Sequence, residues 1–202
     1  MLLSGSLQAQ IDETAIPVGT FTVNGKTFIA RTDIHLFDDG TRSNPNRMEI
    51  VRQGGEFHNS RLGLGVSVPV TTPCYNSVQS YNIEYQKADF VRYYDILRSV
   101  FSLARCNAIM DYDNNGLLSL HVQADPNGTV LDIEFVITEN TLITPQEIEA
   151  LYTAMLTQMT FSVTPVGCPS NYRFFVEECA DDLREIYTDP YYFGNGPEWK
   201  DK

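Results

Sequence analysis

The sequence predicts an α+β protein in which antiparallel sheets are combined with helices. Alternating apolar and polar residues flank two turn sequences, Asn24-Gly25 and Asp125–Gly128, as in β-hairpins. Apolar residues recur at three- and four-residue spacing after Asp89 and after Thr144, as in helices. With 202 residues and 43% apolar content, the chain is long enough and apolar enough to bury a core.

Residues 1–10 are typical of the end of a secretory signal peptide. They combine a short apolar stretch with a small residue, Ala9, at a plausible cleavage position, although the usual positively charged start is missing. We interpret them as a signal-peptide remnant, with a flexible amino terminus as the alternative. No cysteine lies near residue 10, so a lipid anchor is not supported.

Residues 11–87 form a region that we expect to be rich in β-structure. A hairpin is predicted from Pro17 to Asp33, and a short strand from Met48 to Gln53. The segment Leu62–Val70 is apolar but contains several glycines, which favours a strand or an irregular buried segment over a helix.

Residues 88–165 carry the clearest patterns of the chain. A helix is predicted from about Asp89, as the cap, to Leu103, and its aromatic stripe is best explained by core packing. A hairpin follows from Leu118 to Ile137. Thr144-Pro145-Gln146-Glu147 is a capping box with proline at the first helical position, which predicts a helix from 145 to about 159 before a last short strand.

Residues 166–202 are expected to form a short acidic helix near 176–187 and an aromatic tail that packs on the body of the protein. Aromatic side chains of such a tail bind sugars or partner proteins when they are exposed, and they cover a core edge when they are not. The candidate binding aromatics are Tyr191, Tyr192, Phe193 and Trp199.

Four cysteines, without a Cys-x-x-Cys spacing, suit an oxidising compartment. Three pairings are possible among Cys74, Cys106, Cys168 and Cys179, and a bridge between Cys168 and Cys179 would close the shortest loop. Four free thiols are the alternative.

The charge of the chain excludes some partners. Acidic residues outnumber basic ones by 26 to 14, and a formal charge of −12 repels a phosphate backbone, so we expect no nucleic acid partner. No apolar run approaches the length of about 20 residues that crosses a bilayer, so we expect no transmembrane segment.

One segment has part of the pattern of a calcium loop. Asp111, Asp113 and Asn115 occupy the first, third and fifth positions, and Gly116 follows. The twelfth position is Val122 rather than a bidentate carboxylate, so a polar turn is the favoured interpretation and the metal site is a weak candidate. The histidines have no zinc-site spacing, so no cofactor is predicted.

The strands and helix of residues 88–165 resemble the TonB carboxy-terminal domain. The resemblance rests on the strand after Asn115-Gly116, the turn Asp125–Gly128 with its following strand, and the helix that ends in Phe161–Pro165. It implies an α-β-β-α-β unit over residues 88–165, and the amino-terminal β-rich part beside that unit is predicted from its own hairpin and strand patterns. The chain as a whole resembles uncharacterised exported proteins of Bacteroides-type bacteria, which implies a periplasmic or secreted location.

These observations predict an exported, non-enzymatic binding or interaction module. Its ligand is undefined, and another envelope protein or a glycan are the candidate partners. A hydrolase acting on envelope or dietary polymers is one alternative, although adjacent acids such as Glu177-Glu178 usually mark a solvated face. A structural component of the envelope is the other. We predict no catalytic residues.

Overall fold

The computed structural model describes residues 16–32, 46–61, 81–83, 87–113, 116–125, 127–165, 175–183 and 185–188. The predicted signal-peptide remnant, the apolar segment 62–70 and the aromatic tail lie outside these ranges. The described elements, in chain order, are β1 (Gly19–Val23), β2 (Lys26–Arg31), β3 (Arg47–Arg52), α1 (Glu56–Arg61), β4 (Tyr81–Ile83), α2 (Lys87–Val100), α3 (Leu103–Asp113), β5 (Leu117–Ala124), β6 (Val130–Thr138), α4 (Pro145–Gln158), β7 (Val163–Pro165), β8 (Phe175–Asp182) and α5 (Glu185–Thr188).

Six of the strands form one antiparallel sheet in the order β1-β2-β3-β6-β5-β8. Both predicted hairpins are confirmed, because β1 pairs with β2 and β5 pairs with β6. At the first turn, Asn24 and Gly25 have φ angles of 49° and 77°, and a tight hairpin turn of type I′ needs positive φ at both positions. The strand predicted at Met48–Gln53 is also confirmed, as β3.

The amino-terminal region and residues 88–165 share one sheet and one hydrophobic core. The junction is the β3–β6 ladder, in which Ile50 lies opposite Phe135. A single cluster of buried side chains joins Phe28 and Met48 of the first region to Leu120 and Leu151 of the second. Burial of apolar surface across this junction stabilises the two regions together, at about 25 cal/mol per Å².

The helix predicted from the capping box is confirmed as α4. The hydroxyl of Thr144 accepts a hydrogen bond from the backbone N–H of Glu147, and the Glu147 carboxylate accepts one from the backbone N–H of Thr144. Arg105 on α3 donates to both oxygens of that carboxylate, at 2.6 and 3.0 Å. The cap therefore fixes α3 against the start of α4 as well as beginning the helix.

The predicted helix from Asp89 to Leu103 is confirmed as α2, which ends three residues earlier, at Val100, and an additional helix, α3, begins at Leu103. Phe101 is fully buried between them, and the hydroxyl of Ser102 accepts from the backbone N–H of Arg105, as at a helix start. Asp89 lies inside α2 rather than capping it. Its carboxylate accepts from the backbone N–H of Ser162, so it ties α2 to the chain after α4.

The prediction of an acidic helix near 176–187 is wrong for most of that range. Residues Phe175–Asp182 form β8, which pairs with β5 along eight residues, and only Glu185–Thr188 is helical. Pairing with a strand more than fifty residues earlier in the chain overrides a local pattern that has no strand-like alternation. Within the described residues, no helix is both long enough and apolar enough to cross a membrane.

The order from α2 to β7 contains the elements of the predicted α-β-β-α-β unit, with α3 as an additional helix. The last strand, β7, pairs with β4 in a separate two-stranded sheet rather than with β5 or β6. The α+β class and its antiparallel sheets are confirmed, whereas the relation to the TonB domain stays a prediction.

Candidate functional site

The two faces of the six-stranded sheet differ in chemistry. Helix α4 covers one face, where Tyr152 meets Phe28 edge-on with ring centroids 5.5 Å apart. On this face Lys26 donates to Glu149 of α4 at 2.5 Å, and Asn24 donates to the same carboxylate at 2.9 Å. Side chains at successive positions of a strand point to opposite faces of the sheet. The residues that alternate with core residues along each strand therefore lie on the other face.

The opposite face carries many polar side chains, and most of them are buried. Burial of so many polar side chains on one face of a sheet is unusual. We call this face the polar face. Each of these residues except His121 is at least nine-tenths buried, and a sheet face with such residues is normally solvated. Its polar members are Glu49 on β3, Glu134 and Thr138 on β6, and Ser119, His121 and Gln123 on β5.

Three neutral side chains of the polar face have hydrogen-bonding atoms that no protein group satisfies. These are Oγ of Ser119, Oε1 of Gln123 and Oγ1 of Thr138. The residues are 6%, 2% and 7% exposed, so water is largely excluded from them. An unsatisfied buried polar group costs about 1–3 kcal/mol, and more than nine in ten such groups in native proteins have a partner.

A histidine–carboxylate pair lies at the centre of the polar face. Nδ1 of His121 is 2.8 Å from Oε2 of Glu134, directly across the β5–β6 ladder. On the other side of β5, Glu178 of β8 occupies the register position opposite His121. The pair is a hydrogen-bonded centre that lies between Ser119 and Gln123 along β5.

The unsatisfied groups form a row along the strands. Ser119 and Gln123 are four residues apart on β5. On the neighbouring strand β6, Val136 lies opposite Ser119, and Thr138 lies two residues further from Gln123. At about 3.4 Å per residue, the row is about 20 Å long. This length exceeds the reach of a single ion or a single small ring, so a ligand that satisfied the whole row would be extended.

Asp132, at the end of the same sheet, forms a contrasting cluster in which the polar atoms are satisfied. It lies next to the β-bulge of the β5–β6 ladder. Its Oδ1 accepts from the hydroxyl of Tyr152 at 3.0 Å, and its Oδ2 accepts from the backbone N–H of Phe57 at 2.9 Å. A Cβ atom at Gly55 would lie 2.5 Å from Oδ2, so the close approach requires glycine there.

Burial dominates the electrostatics of this cluster. Asp132 is 1% exposed, and burial raises the pKa of its carboxyl group, although its hydrogen bonds to Phe57 and Tyr152 act in the opposite direction. Burial likewise raises the pKa of Tyr152 to about 12. Because both carboxylate oxygens are bound by protein groups that join α1, β6 and α4, we assign Asp132 a structural role.

The structure places two residues of the weak metal candidate in a helix. Asp111 and Asp113 belong to the last turn of α3, and Oδ1 of Asp113 accepts from the backbone N–H of Gly116 at 2.8 Å. Asn115 lies outside the described residues. Val122 is fully buried in β5. No group of three or more His, Cys, Asp or Glu residues that could hold a metal occurs in the described part of the chain.

The candidate binding aromatics Tyr191, Tyr192, Phe193 and Trp199 lie outside the described residues. The disulfide between Cys168 and Cys179 stays a prediction, because Cys168 also lies outside them.

Cys106 is a free, buried thiol on α3, which rules out the three arrangements with two bridges. Burial raises the pKa of this thiol to about 11, so it is unreactive at neutral pH.

Sequence reasoning missed the polar face as a site. It placed His121 on the polar side of its strand, which is confirmed, but it treated that side as ordinary surface. The one usable indication is the run of polar residues at alternate positions, Ser119, His121 and Gln123, which alternate with the fully buried Leu118, Leu120, Val122 and Ala124. Their burial depends on the rest of the fold and cannot be derived from this pattern alone.

A solved structure with a similar fold is that of a DUF5043 family protein from Bacteroides uniformis. The two chains are 14% identical, with a TM-score of 0.57, and the similarity covers 87% of this chain and 92% of that chain. No protein-family model matches the chain. No curated protein matches it either. At this identity the likeness shows a shared fold alone.

Proposed function

We propose that this protein is an exported binding module and that the polar face is its ligand site. The observation that carries the proposal is the row of buried, unsatisfied hydrogen-bonding atoms on Ser119, Gln123 and Thr138. Each unsatisfied buried group lowers the stability of the unliganded protein. Selection therefore keeps such groups where a function requires them. A bound ligand that hydrogen-bonds these atoms removes that penalty.

The hydrolase alternative has less support. A hydrolase of this kind needs two carboxylates at a site that water can enter, with environments that separate their pKa values. The carboxyl group of Asp132 has a raised pKa, but both of its oxygens are held by Tyr152 and Phe57. The TonB-like unit and the envelope location remain parts of the proposal that rest on the sequence.

A binding experiment tests the ligand site. The purified protein is heated in the presence of uncharged oligosaccharides, charged oligosaccharides, short peptides and divalent cations, and the unfolding temperature is measured for each class. A ligand of the polar face is expected to raise the unfolding temperature in wild-type protein and to have a smaller effect in Thr138→Val. Absence of any stabilising compound in all four classes contradicts the proposal.

A second experiment tests export separately. The chain is expressed with its native upstream region in a bacterial host, the cells are fractionated, and the mass of the protein is measured with and without reductant. A periplasmic species that begins near Gln10 supports export, and a full-length cytoplasmic species contradicts it. The mass after alkylation also reports how many of the four cysteines are bridged.

A further inference from the structure

We infer that the ligand of the polar face is an uncharged oligosaccharide, an inference that rests on the proposed binding function. Its hydroxyl groups would hydrogen-bond Ser119, Gln123 and Thr138, and its length would follow the direction of β5.

The three neutral side chains of the row offer two hydroxyl oxygens and one amide oxygen, and the carboxylate of Glu134 lies among them on the same face. Hydroxyl groups of a sugar both donate and accept, so they can satisfy a Ser, a Thr and a Gln side chain without bringing a charge into a buried site. An anionic ligand would meet the carboxylates of Glu49 and Glu134 on the same face, in a chain of net charge −12.

The spacing of the row excludes a single metal ion. Ser119 and Gln123 are separated by about 13 Å along β5, whereas all oxygens that bind one Ca²⁺ lie within about 2.6 Å of it. The same spacing excludes a single sugar ring as the partner of the whole row. An oligosaccharide that extends along the strand can reach each group in turn.

A peptide is the closest competitor. Sheets bind extended peptides mainly at an edge strand, through main-chain hydrogen bonds. The row instead lies on the face of β5 and β6, which are both interior strands of the six-stranded sheet, so their main-chain groups already pair with neighbouring strands. Only side chains can hydrogen-bond a ligand on this face. This favours a ligand with hydrogen-bonding groups at short intervals along its length, such as the hydroxyl groups of an oligosaccharide.

The burial of the row has a consequence for the binding reaction. Because the three side chains are at least nine-tenths buried, the ligand must be enclosed rather than adsorbed on an open surface. Protein atoms already cover the row in the free protein, so a ligand reaches it only after a change of conformation, and we therefore expect association to be slower than for a preformed open site.

Two threonines provide a matched test. Thr138 and Thr141 are 7% and 6% exposed, but Oγ1 of Thr141 accepts a hydrogen bond from the backbone N–H of Ile143, whereas Oγ1 of Thr138 has no partner. Valine has the shape of threonine without the hydroxyl. Thr138→Val should therefore raise the unfolding temperature of the free protein by about 2–4 °C, and Thr141→Val should lower it.

The binding arm uses an array of uncharged oligosaccharides of plant, animal and bacterial origin, followed by calorimetric titration of the best binder. Thr138→Val and Ser119→Ala are each expected to weaken binding at least tenfold, while Thr141→Val binds as wild type does. The monosaccharide components of the binder should bind far more weakly than the oligosaccharide.

The other outcomes contradict either the ligand class, the position of the ligand on the polar face, or the binding function itself. Stabilisation by peptides, cations or charged oligosaccharides, without any uncharged binder on the array, overturns the ligand class and leaves the proposed binding function standing. Equal binding by wild type, Thr138→Val and Ser119→Ala overturns the placement of the ligand on the polar face. No stabilisation by any class, together with a more stable Thr138→Val, overturns both proposals.

Discussion

The hydroxyl of Tyr152 on α4 donates a hydrogen bond of 3.0 Å to Oδ1 of Asp132 on β6. Both residues are 1% exposed, so the bond lies in the interior, where it joins the helix layer to the end of the sheet. The second oxygen of Asp132 holds the start of α1 through Phe57. Three elements thus depend on one buried carboxylate, and its contacts can be tested separately.

Removal of the Tyr152 hydroxyl should destabilise the protein without disturbing its packing. Tyr152→Phe deprives the buried carboxylate of Asp132 of its side-chain donor, and we expect a loss of about 1.5–3 kcal/mol in the free energy of unfolding. Urea denaturation at neutral pH measures it. Tyr112→Phe is the control, because Tyr112 is 54% exposed, and an equal effect of the two substitutions would contradict the role of the bond.

The Asp132 carboxyl group should contribute a pH dependence of unusual sign for an acid. Burial raises the pKa of this group in the folded state above the ordinary value of 3.8. At a pH between 3.8 and the folded-state pKa, the folded protein therefore binds more protons than the unfolded chain. Its stabilising contribution is complete below pH 3.8 and is lost as the pH rises through the folded pKa. Asp132→Asn cannot titrate, so the stability of wild type relative to this variant should fall across that window. A difference that is constant with pH would contradict the assignment.

Glu149 should show the opposite dependence. The hydrogen bond from Lys26 lowers the pKa of this carboxyl group from 4.5 to about 2, and bonds from Thr153 and Asn24 add to the effect. Its stabilisation is therefore present above pH 4.5 and is lost as the pH falls towards 2. We expect Glu149→Gln to be less stable than wild type by about 2 kcal/mol at pH 6, with the difference vanishing near pH 2. Lys26→Met should raise the pKa of Glu149, which an NMR titration measures.

Gly128 should tolerate no side chain. Its φ angle is +85°, and a Cβ atom there would lie 2.0 Å from the carbonyl oxygen of Phe161, which is backbone and cannot move aside cheaply. We expect Gly128→Ala to cost about 3 kcal/mol or more. Gly54→Ala isolates the cost of the backbone angle, because Gly54 has a φ angle of +76° but open space around it. Its loss should be about 1 kcal/mol, measured by the same urea denaturation.

The sequence predicted elements whose cause is local. The Asn24-Gly25 turn and the Thr144–Glu147 capping box each need only neighbouring residues to form, and both are present as expected. Strand β8 was missed because its acidic sequence acquires a partner only when β5 is beside it. The end of α2 was predicted three residues too late because Phe101, which follows the helix, continues its apolar spacing.

The candidate site was predictable only in part. The alternation of Ser119, His121 and Gln123 placed these side chains on the polar side of β5. Their pairing and burial depend on β6, which lies beside β5, and on the rest of the fold. A polar residue on a strand is normally solvated, so the sequence gives no reason to expect hydroxyls that are both buried and unsatisfied.

The β3–β6 ladder determines how the protein can fold. Ile50 pairs with Phe135, 85 residues later in the chain by the difference of their numbers, so the middle of the sheet cannot close until β6 has been made. Loop closure of this length slows folding, and β3 remains an unpaired edge that other chains can join in the meantime. A chain that ends before β6 should therefore aggregate instead of forming a stable amino-terminal half.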